Sequence, residues 1–318
     1  MSQVSLITLT SDSAASLSGQ DLSKFPNIAI KPAEITWNDM QTEDLNDSVA
    51  RRLFSSNAEI IQSTSGFTVT PKWNWTDFLV EHSVEKDAIF VFLPHPAIYP
   101  NEQDNVVSST MKLKTNFIDF FNMHHRKTGK IKHFVLNSGN IFCGVGLVMW
   151  QCQEILSRMD PEKSLSLLQL KEVFDRYARR TKTISIMDNA SINTDFQKQL
   201  SEPGLKNMLS AKLKRKHWLS VTFTKDNVQM GDQLSLEAQI TKHFSELANF
   251  IETEKLAFPR IVISCSTEQW TLISKLNIFG LLNRFIEGTN IKIMHQQSSL
   301  TAQVLTGKNA IHISYSHK

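Results

Sequence analysis

Short apolar runs that stop at a proline or a polar loop are the clearest feature of the first half of the chain. Ala88–Leu93 is continuously apolar and stops at Pro94, and residues 133–136 stop at an Asn-Ser-Gly-Asn loop. Such runs are typical of strands buried on both faces of a parallel sheet. Helical periodicity follows over residues 145–156. This rhythm of strand, polar loop and helix predicts a doubly wound, mostly parallel α/β sheet.

The same patterns predict the other elements. Strands are predicted at residues 4–9, 28–30, 183–187, 260–264, 291–294 and 310–315, and helices at 44–53, 165–177, 205–216, 234–253 and 268–287. An alternating run at 218–223 followed by Asp226-Asn227 predicts a hairpin. Since 318 residues are many for one core, two α/β domains are expected, at residues 1–165 and 166–318.

Composition narrows the class of protein. The chain is 41% hydrophobic and 20% charged, which is ordinary for a globular protein, and its net charge of +3 is too small to indicate nucleic-acid binding. No apolar run approaches the ~18 residues that span a bilayer, and the first residues do not resemble a secretory signal. Three widely spaced cysteines suit neither a disulfide framework nor a zinc site. A cytoplasmic location is expected.

The loop between residues 137 and 146 carries the strongest chemical signal. It follows a buried strand and opens a helix, where free backbone N–H groups and the helix dipole favour a carboxylate or phosphate. An alternative is a plain helix cap, with glycines that allow tight packing of helix on sheet. The candidate ligand-binding residues of this loop are Asn137, Ser138, Asn140, Cys143 and Gly144.

Other motifs give little support to an enzyme. Cys143 has no histidine nearby in the sequence to act as a base. His124-His125 and the basic residues between 206 and 216 are interpreted as solvated surfaces, and Trp73 and Trp75 either cover an apolar ligand or seal the next helix. No nucleotide loop, zinc motif or hydrolase serine motif is present. Neither a cofactor nor a metal is therefore predicted.

Taken in order, the loops resemble the DegV family of fatty-acid-binding proteins. Residues 12–17 (DSAASL) are similar to the family's Asp-Ser-Thr-Ala-Asp-Leu, and residues 68–71 (TVTP) to its Thr-Ser-Gln-Pro. Residues 137–146 resemble its Asp-Ser-x-x-x-Ser-x-Gly-x-Gly loop, and residues 305–310 (LTGKNA) its closing His-Thr-Gly-Pro-Gly-Ala. The resemblance spans nearly the whole chain. It implies two domains with a ligand tunnel between them.

The resemblance also implies a site for the carboxylate of a fatty acid. Thr68 matches the family's threonine, and Thr306 lies in the closing motif, but Leu305 stands where the family has its histidine. The family's serine loop, expected after residue 93, is replaced by a stretch that contains His95 and Tyr99, which we take as substitute hydrogen-bond donors.

Three hypotheses for function follow. The first is non-catalytic binding of a long-chain fatty acid or similar lipid, with the possible presentation of that lipid to a separate fatty acid kinase subunit, as the resemblance implies. The second is an interaction or regulatory protein of the same fold that has lost lipid binding. The third, a phosphotransfer enzyme, is disfavoured because no nucleotide-binding loop is present.

Overall fold

The computed structural model describes residues 6–17, 22–37, 40–44, 75–83, 86–95, 131–159, 165–188, 191–192, 196 and 217–318. The predicted helix at 205–216 lies outside these ranges, as does the one at 44–53 apart from Asp44. The strands are β1 Ile7–Asp12, β2 Ile28–Lys31, β3 Glu34–Trp37, β4 Met40–Glu43, β5 Ala88–Leu93, β6 Lys132–Asn137, β7 Thr181–Asp188, β8 Trp218–Phe223, β9 Val228–Leu234, β10 Leu256–Cys265, β11 Lys292–Gln297 and β12 Ile311–His317. The helices are α1 Trp75–Glu81, α2 Cys143–Arg158, α3 Leu167–Arg180, α4 Leu236–Thr253, α5 Thr267–Lys275, α6 Asn277–Ile286 and α7 Leu300–Thr306.

The first sheet is parallel, with the strand order β2-β1-β5-β6. Ile89 and Val91 of β5 pack with α1 on one face, where Trp75 is fully buried at the start of that helix. Phe90 and Phe92 pack with α2 and α3 on the other face. Because both faces are covered, β5 is apolar at every position. This confirms the doubly wound α/β sheet predicted from the sequence.

The second sheet is mixed, with the order β11-β10-β12-β7-β8-β9, and only β10 and β11 are parallel within it. Isoleucines of β7, β10 and β12 form one core with α4, α5 and α6. The opposite face turns toward the first half of the chain. The predicted hairpin is confirmed as β8 and β9, joined by a turn in which Thr224 donates its N–H to Asn227.

Helix α2 joins the two halves. Its Val145 and Met149 belong to the core of the first sheet, whereas Leu147 and Trp150 pack against Phe258 and Val262 of β10. A helix covered on both sides is apolar over most of its surface.

The structure also corrects the sequence predictions. The helix predicted at 268–287 is two helices, because Leu276 is extended (φ −74°, ψ 136°) between α5 and α6. The apolar period continues across this break, and Ile273 and Phe279 reach the same core, so the pattern indicated one helix. The first strand runs to Asp12 rather than to residue 9, because its polar end is buried, with Ser11 Oγ donating to Phe92 O at 2.6 Å. Strands β3 and β4 and helix α7 were not predicted.

Within the described part of the chain, no helix combines the length and the apolar character needed to cross a membrane.

Candidate functional site

The carboxyl edge of the first sheet meets the second half of the chain. β1 ends at Asp12, β5 at Leu93 and β6 at Asn137. In open parallel sheets this is the edge at which ligands bind. The backbone N–H of His95 donates to the carbonyl of Asn140 at 2.7 Å, so the loops that follow β5 and β6 lie side by side.

Ser138, the first residue after β6, fixes the conformation of the loop by hydrogen bonds. Its backbone N–H and its hydroxyl both donate to the carbonyl of Leu93, at 2.9 and 2.8 Å, and its Oγ accepts the N–H of Asn140 at 3.2 Å. Oδ1 of Asn137 accepts the N–H of Gly139 at 2.8 Å. The Asn-Ser-Gly-Asn sequence therefore forms a tight turn, and the bonds of Ser138 to Leu93 hold this turn against the neighbouring strand β5.

Gly139 marks the point where this loop touches the β8–β9 hairpin. Its φ is +63°, a conformation that favours glycine, and a Cβ there would overlap the backbone of Lys225. The ammonium group of Lys225 pairs with Asp175 of α3. The hairpin is therefore held against the loop by both shape and charge.

The side chain of Asn140 connects three elements. Its amide donates to the carbonyls of Ser138 at 2.8 Å and Ala178 at 3.3 Å, and its Oδ1 accepts from the hydroxyl of Thr183 at 3.0 Å. Thr183 Oγ1 lies 3.0 Å from Ser314 Oγ. Hydrogen bonds thus connect the polar loop after β6 of the first sheet to β7 and β12 of the second sheet.

Cys143 is fully buried at the start of α2. Its Sγ lies 3.1 Å from Ser314 Oγ, and burial raises the pKa of the thiol to about 12. A protonated, inaccessible thiol is a poor nucleophile, as the sequence predicted. A Cβ at the next residue, Gly144, would overlap the hydroxyl of Thr183, which explains that glycine by close packing.

The first amides of α2 have acceptors within the protein. Gly144 N–H donates to Ile141 O at 2.9 Å, and Val145 N–H to Phe142 O at 3.0 Å. Phe142 adopts φ +47° to make this turn. These bonds support the alternative in which the glycines serve packing, while the anion site at this helix start stays a prediction.

His312 lies at the centre of the contact between the two halves. Its Nδ1 is 2.8 Å from Ser185 Oγ, its Nε2 is 3.3 Å from Thr306 Oγ1, and its ring packs on Phe142. Thr306 also donates to Ala302 O at 2.6 Å. Complete burial lowers the pKa of His312 to about 3, so the ring is neutral.

Hydroxyl groups line the face of the second sheet that turns toward the first half. We call this set, with the neutral histidine at its centre, the hydroxyl face: Thr183, Ser185, Ser264, His312 and Ser314, all buried.

An apolar cluster lies beside the hydroxyl face at the contact between the two halves. We call it the junction cluster, and it draws buried side chains from both halves: Ala14, Ile141, Phe142, Met187, Ile192, Phe196, Leu219, Val221, Phe223, Ala302, Leu305 and Ala310. Leu305, which stands where the resemblance placed a histidine, is 5% exposed within it.

His95 lies at the edge of the junction cluster. Its ring meets that of Phe223 edge-on, with the centroids 5.7 Å apart. Burial lowers its pKa to about 4, so it too is neutral near pH 7. The structure therefore brings His95 to the same edge as Ser138, Asn140 and Thr306.

Two buried acids, Asp12 and Asp44, also lie at this edge. Asp12 opens the first segment that resembles the family, and its Oδ1 accepts the N–H of Ala14 at 2.6 Å. Asp44 accepts hydrogen bonds from Leu300 and Thr301 of α7. No local pattern identifies Asp44, because its partners come from the far end of the chain.

The remaining predicted residues, Thr68 and Tyr99, lie outside the described residues, so their roles stay predictions. Within the described ranges, no group of three or more His, Cys, Asp or Glu side chains is arranged to hold a metal ion.

Known structures resemble this chain over almost its whole length. A DegV lipid-binding protein of Thermotoga maritima is 12% identical, with a TM-score of 0.68 and 98% of each chain covered. A DegV-family protein of Ruminococcus gnavus, solved with vaccenic acid, is 13% identical, with a TM-score of 0.69 over 97% of this chain and 99% of that one. The Fatty Acid Kinase (Fak) B3 protein of Streptococcus pneumoniae, loaded with linoleic acid, is 12% identical, with a TM-score of 0.65 over 98% and 99%.

No protein-family model and no curated protein matches the sequence. The structural likeness nevertheless confirms the resemblance at the level of the fold. The chain has the two-domain α/β fold of the DegV proteins, whereas the boundary near residue 165 stays a prediction.

Proposed function

We propose that this protein binds a long-chain fatty acid, or a similar amphipathic lipid, between its two halves. The observation that carries the proposal is the junction cluster, an apolar contact that runs from the ligand-binding edge of a DegV-like sheet into the second half of the chain. Lipid sites combine such apolar linings with a few polar groups that orient the head group. Proteins of this fold have been solved with vaccenic and linoleic acid bound.

The proposed site has an apolar and a polar end. The acyl chain would lie along a tunnel lined by the junction cluster. Its head group would lie near His95, Ser138 and Thr306; the hydrogen bond from His95 to Asn140 and the contact of Thr306 with His312 support this placement. Thr68 and Tyr99 are proposed as further head-group contacts. The other predicted loop residues would hold the head-group region in position without contacting the ligand: Asn137, Asn140, Cys143 and Gly144.

The proposed role is binding without chemistry. Burial raises the pKa of each of the three cysteines, so no thiolate nucleophile is supplied by them. All three thiols are free, which supports a reducing compartment such as the cytoplasm. The likeness to the Fak B3 protein supports presentation of the lipid to a separate fatty acid kinase subunit.

The test is native mass spectrometry of the purified protein, followed by extraction and analysis of bound lipid. A co-purifying fatty acid at about one per chain is expected. His95→Ala and Thr68→Val should each lower the retained lipid. The matched control is His295→Ala, because His295 is also partly buried against an aromatic ring, that of Trp270, but lies on β11 at the far side of the second sheet.

A second function, an interaction protein that has lost lipid binding, is favoured by one observation. Polar side chains of the candidate head-group region are bonded to protein atoms: Ser138 to Leu93, and Thr306 to Ala302 and His312. If the protein is purified empty and its melting temperature does not change with added oleate or palmitate, lipid binding is excluded and this second function is retained.

A further inference from the structure

The backbone at Phe142, the residue before α2, has an unusual conformation. Its φ is +47° and its ψ is −124°, and the N–H of Gly144 closes the turn by donating to Ile141 O at 2.9 Å. This is the second position of a type II′ turn, where glycine is favoured because a side chain there is strained. Among the described residues, two other non-glycine residues have a positive φ, Ser16 and Lys255, and neither belongs to the junction cluster.

The strained turn places an aromatic ring in the contact between the two halves. Phe142 is fully buried, and its ring packs on His312 with the centroids 4.5 Å apart. It belongs to the junction cluster, together with Leu219 and Val221 of β8. Because a strained conformation persists only where the surrounding contacts impose it, the burial of this ring is what holds residue 142 in its turn.

The ring lies next to the proposed head-group region. His312, on which the ring packs, has its Nε2 3.3 Å from Thr306 Oγ1. Ser138 lies four residues before Phe142 in the same loop. An acyl chain whose head group lies near Thr306 and Ser138 would therefore meet this ring with its first methylene groups.

The strain selects Phe142 as the side chain that moves. Protein interiors are close-packed, so an acyl chain enters an apolar contact only where a side chain gives way. Any member of the junction cluster that moves loses its own burial. Among the described members of the cluster, Phe142 is the one that also regains an ordinary backbone conformation, because its φ is positive.

We propose that the ring of Phe142 occupies part of the lipid site in the empty protein and moves out when an acyl chain binds, as residue 142 relaxes to a negative φ. This inference rests on the proposed function and adds a conformational control of the same site. The apparent affinity for lipid is then the intrinsic affinity multiplied by the fraction of molecules whose ring is displaced. Removing the ring should therefore raise the affinity.

The experiment measures the dissociation constant of the delipidated protein for palmitate, by competition with a fluorescent fatty acid. Phe142→Ala should bind palmitate at least about tenfold more tightly than the parent protein, because no ring has to leave the site. Phe142→Leu, which keeps a smaller apolar side chain, should show a smaller gain. If the ring were instead a fixed wall of the site, both substitutions would remove contacts with the acyl chain and weaken binding.

The matched control is Phe244→Leu. Phe244 is also fully buried, but its ring packs on Phe279 in the core that the second sheet forms with α4, α5 and α6. This variant loses the same atoms as Phe142→Leu and should leave the affinity for palmitate unaltered. An equal gain in affinity in the two variants would mean that general loosening opens the site, and would overturn the proposed role of Phe142.

The strain at residue 142 is tested without lipid. Glycine and alanine both remove the ring, but only glycine adopts a φ of +47° without strain. Phe142→Gly should therefore melt about 2 °C or more above Phe142→Ala. A glycine variant that melts no higher than the alanine variant would show that residue 142 is not strained, which removes the reason for its movement.

The outcomes separate this inference from the proposed function. If the parent protein binds palmitate and Phe142→Ala binds it equally or more weakly, the movement of Phe142 is wrong while lipid binding stands. If neither the parent protein nor the Phe142 variants bind palmitate, the proposed function fails and this inference fails with it.

Discussion

Oδ2 of Asp44 accepts two hydrogen bonds from Thr301, from the backbone N–H at 3.0 Å and from the hydroxyl at 2.7 Å. Oδ1 accepts the N–H of Leu300 at 3.0 Å. Asp44 therefore satisfies the first amides of α7 from a position 257 residues earlier in the chain. The carboxylate joins the two halves beside the junction cluster, to which Ala302 and Leu305 of the same helix belong.

Removing this carboxylate should destabilise the fold strongly. Asp44→Ala leaves two amides and a hydroxyl buried without their acceptor, and each such group costs about 1–3 kcal/mol. We expect the free energy of unfolding, measured in urea, to fall by about 3 kcal/mol. The control is Asp232→Ala, since Asp232 is 74% exposed and pairs with Lys242 on the surface. Because the Asp232 ion pair is exposed to solvent, that change should leave the free energy of unfolding close to that of the parent protein. Equal losses in the two variants would contradict the structural role of Asp44.

Replacing Gly139 or Gly280 by alanine should change the free energy of unfolding in opposite directions. At Gly139 the positive φ and the backbone of Lys225 leave no room for a Cβ, so Gly139→Ala should lower the free energy of unfolding by about 2 kcal/mol or more. Gly280 lies inside α6, where an added Cβ would have no atom within 4 Å, so Gly280→Ala should raise it by about 0.5–1 kcal/mol. Thermal and urea unfolding of the two variants measures both changes in the free energy of unfolding. A Gly139→Ala variant as stable as the parent protein would show that the loop is not packed closely against the hairpin.

Arg260 and Arg158 both pair with Glu154, at 3.1 and 2.9 Å, but in different surroundings. The Arg260 guanidinium lies over the ring of Trp150, 4.6 Å from its centroid, whereas Arg158 is 76% exposed. Lysine keeps the charge but not the flat stacking surface. Arg260→Lys should therefore cost about 1 kcal/mol of unfolding free energy, and Arg158→Lys less than about 0.5 kcal/mol. A double-mutant cycle with Trp150→Leu should show coupling for Arg260 and none for Arg158.

The buried His312 should make stability depend on pH. Its pKa falls from 6.5 in the unfolded chain to about 3 in the folded protein, so between these values only the unfolded chain takes up the proton. Stability is therefore complete above pH 6.5 and decreases as the pH falls, by about 1.4 kcal/mol per unit from this residue.

Replacement of His312 tests this dependence. His312→Gln retains hydrogen-bonding groups for Ser185 but cannot titrate. The variant should be less stable than the parent at pH 7.5, and the difference in unfolding free energy should narrow by about 2 kcal/mol at pH 5.0. His95 titrates in both proteins, so its contribution cancels in the difference. Urea unfolding curves whose midpoints stay equally far apart at both pH values would contradict the assigned burial.

Local sequence pattern was sufficient for much of the fold. The apolar run Ala88–Leu93 matches β5 residue for residue, and the helix predicted at 145–156 lies within α2. Both predictions succeeded because an element that is buried on both sides is apolar at almost every position, and this is visible in its own sequence. The order of loops was also enough to indicate the DegV-like fold, although each motif is altered.

The contacts of the candidate site were decided by tertiary structure alone. No pattern in the sequence indicates that Asp44 bonds to Thr301, that His95 meets Phe223, or that His312 lies between Ser185 and Thr306. Hydrophobic periodicity reports how each segment faces its own core, whereas these partners come from segments far apart in the chain. Their meeting depends on how two sheets and the helix between them pack, because only that packing brings distant polar groups within hydrogen-bond distance.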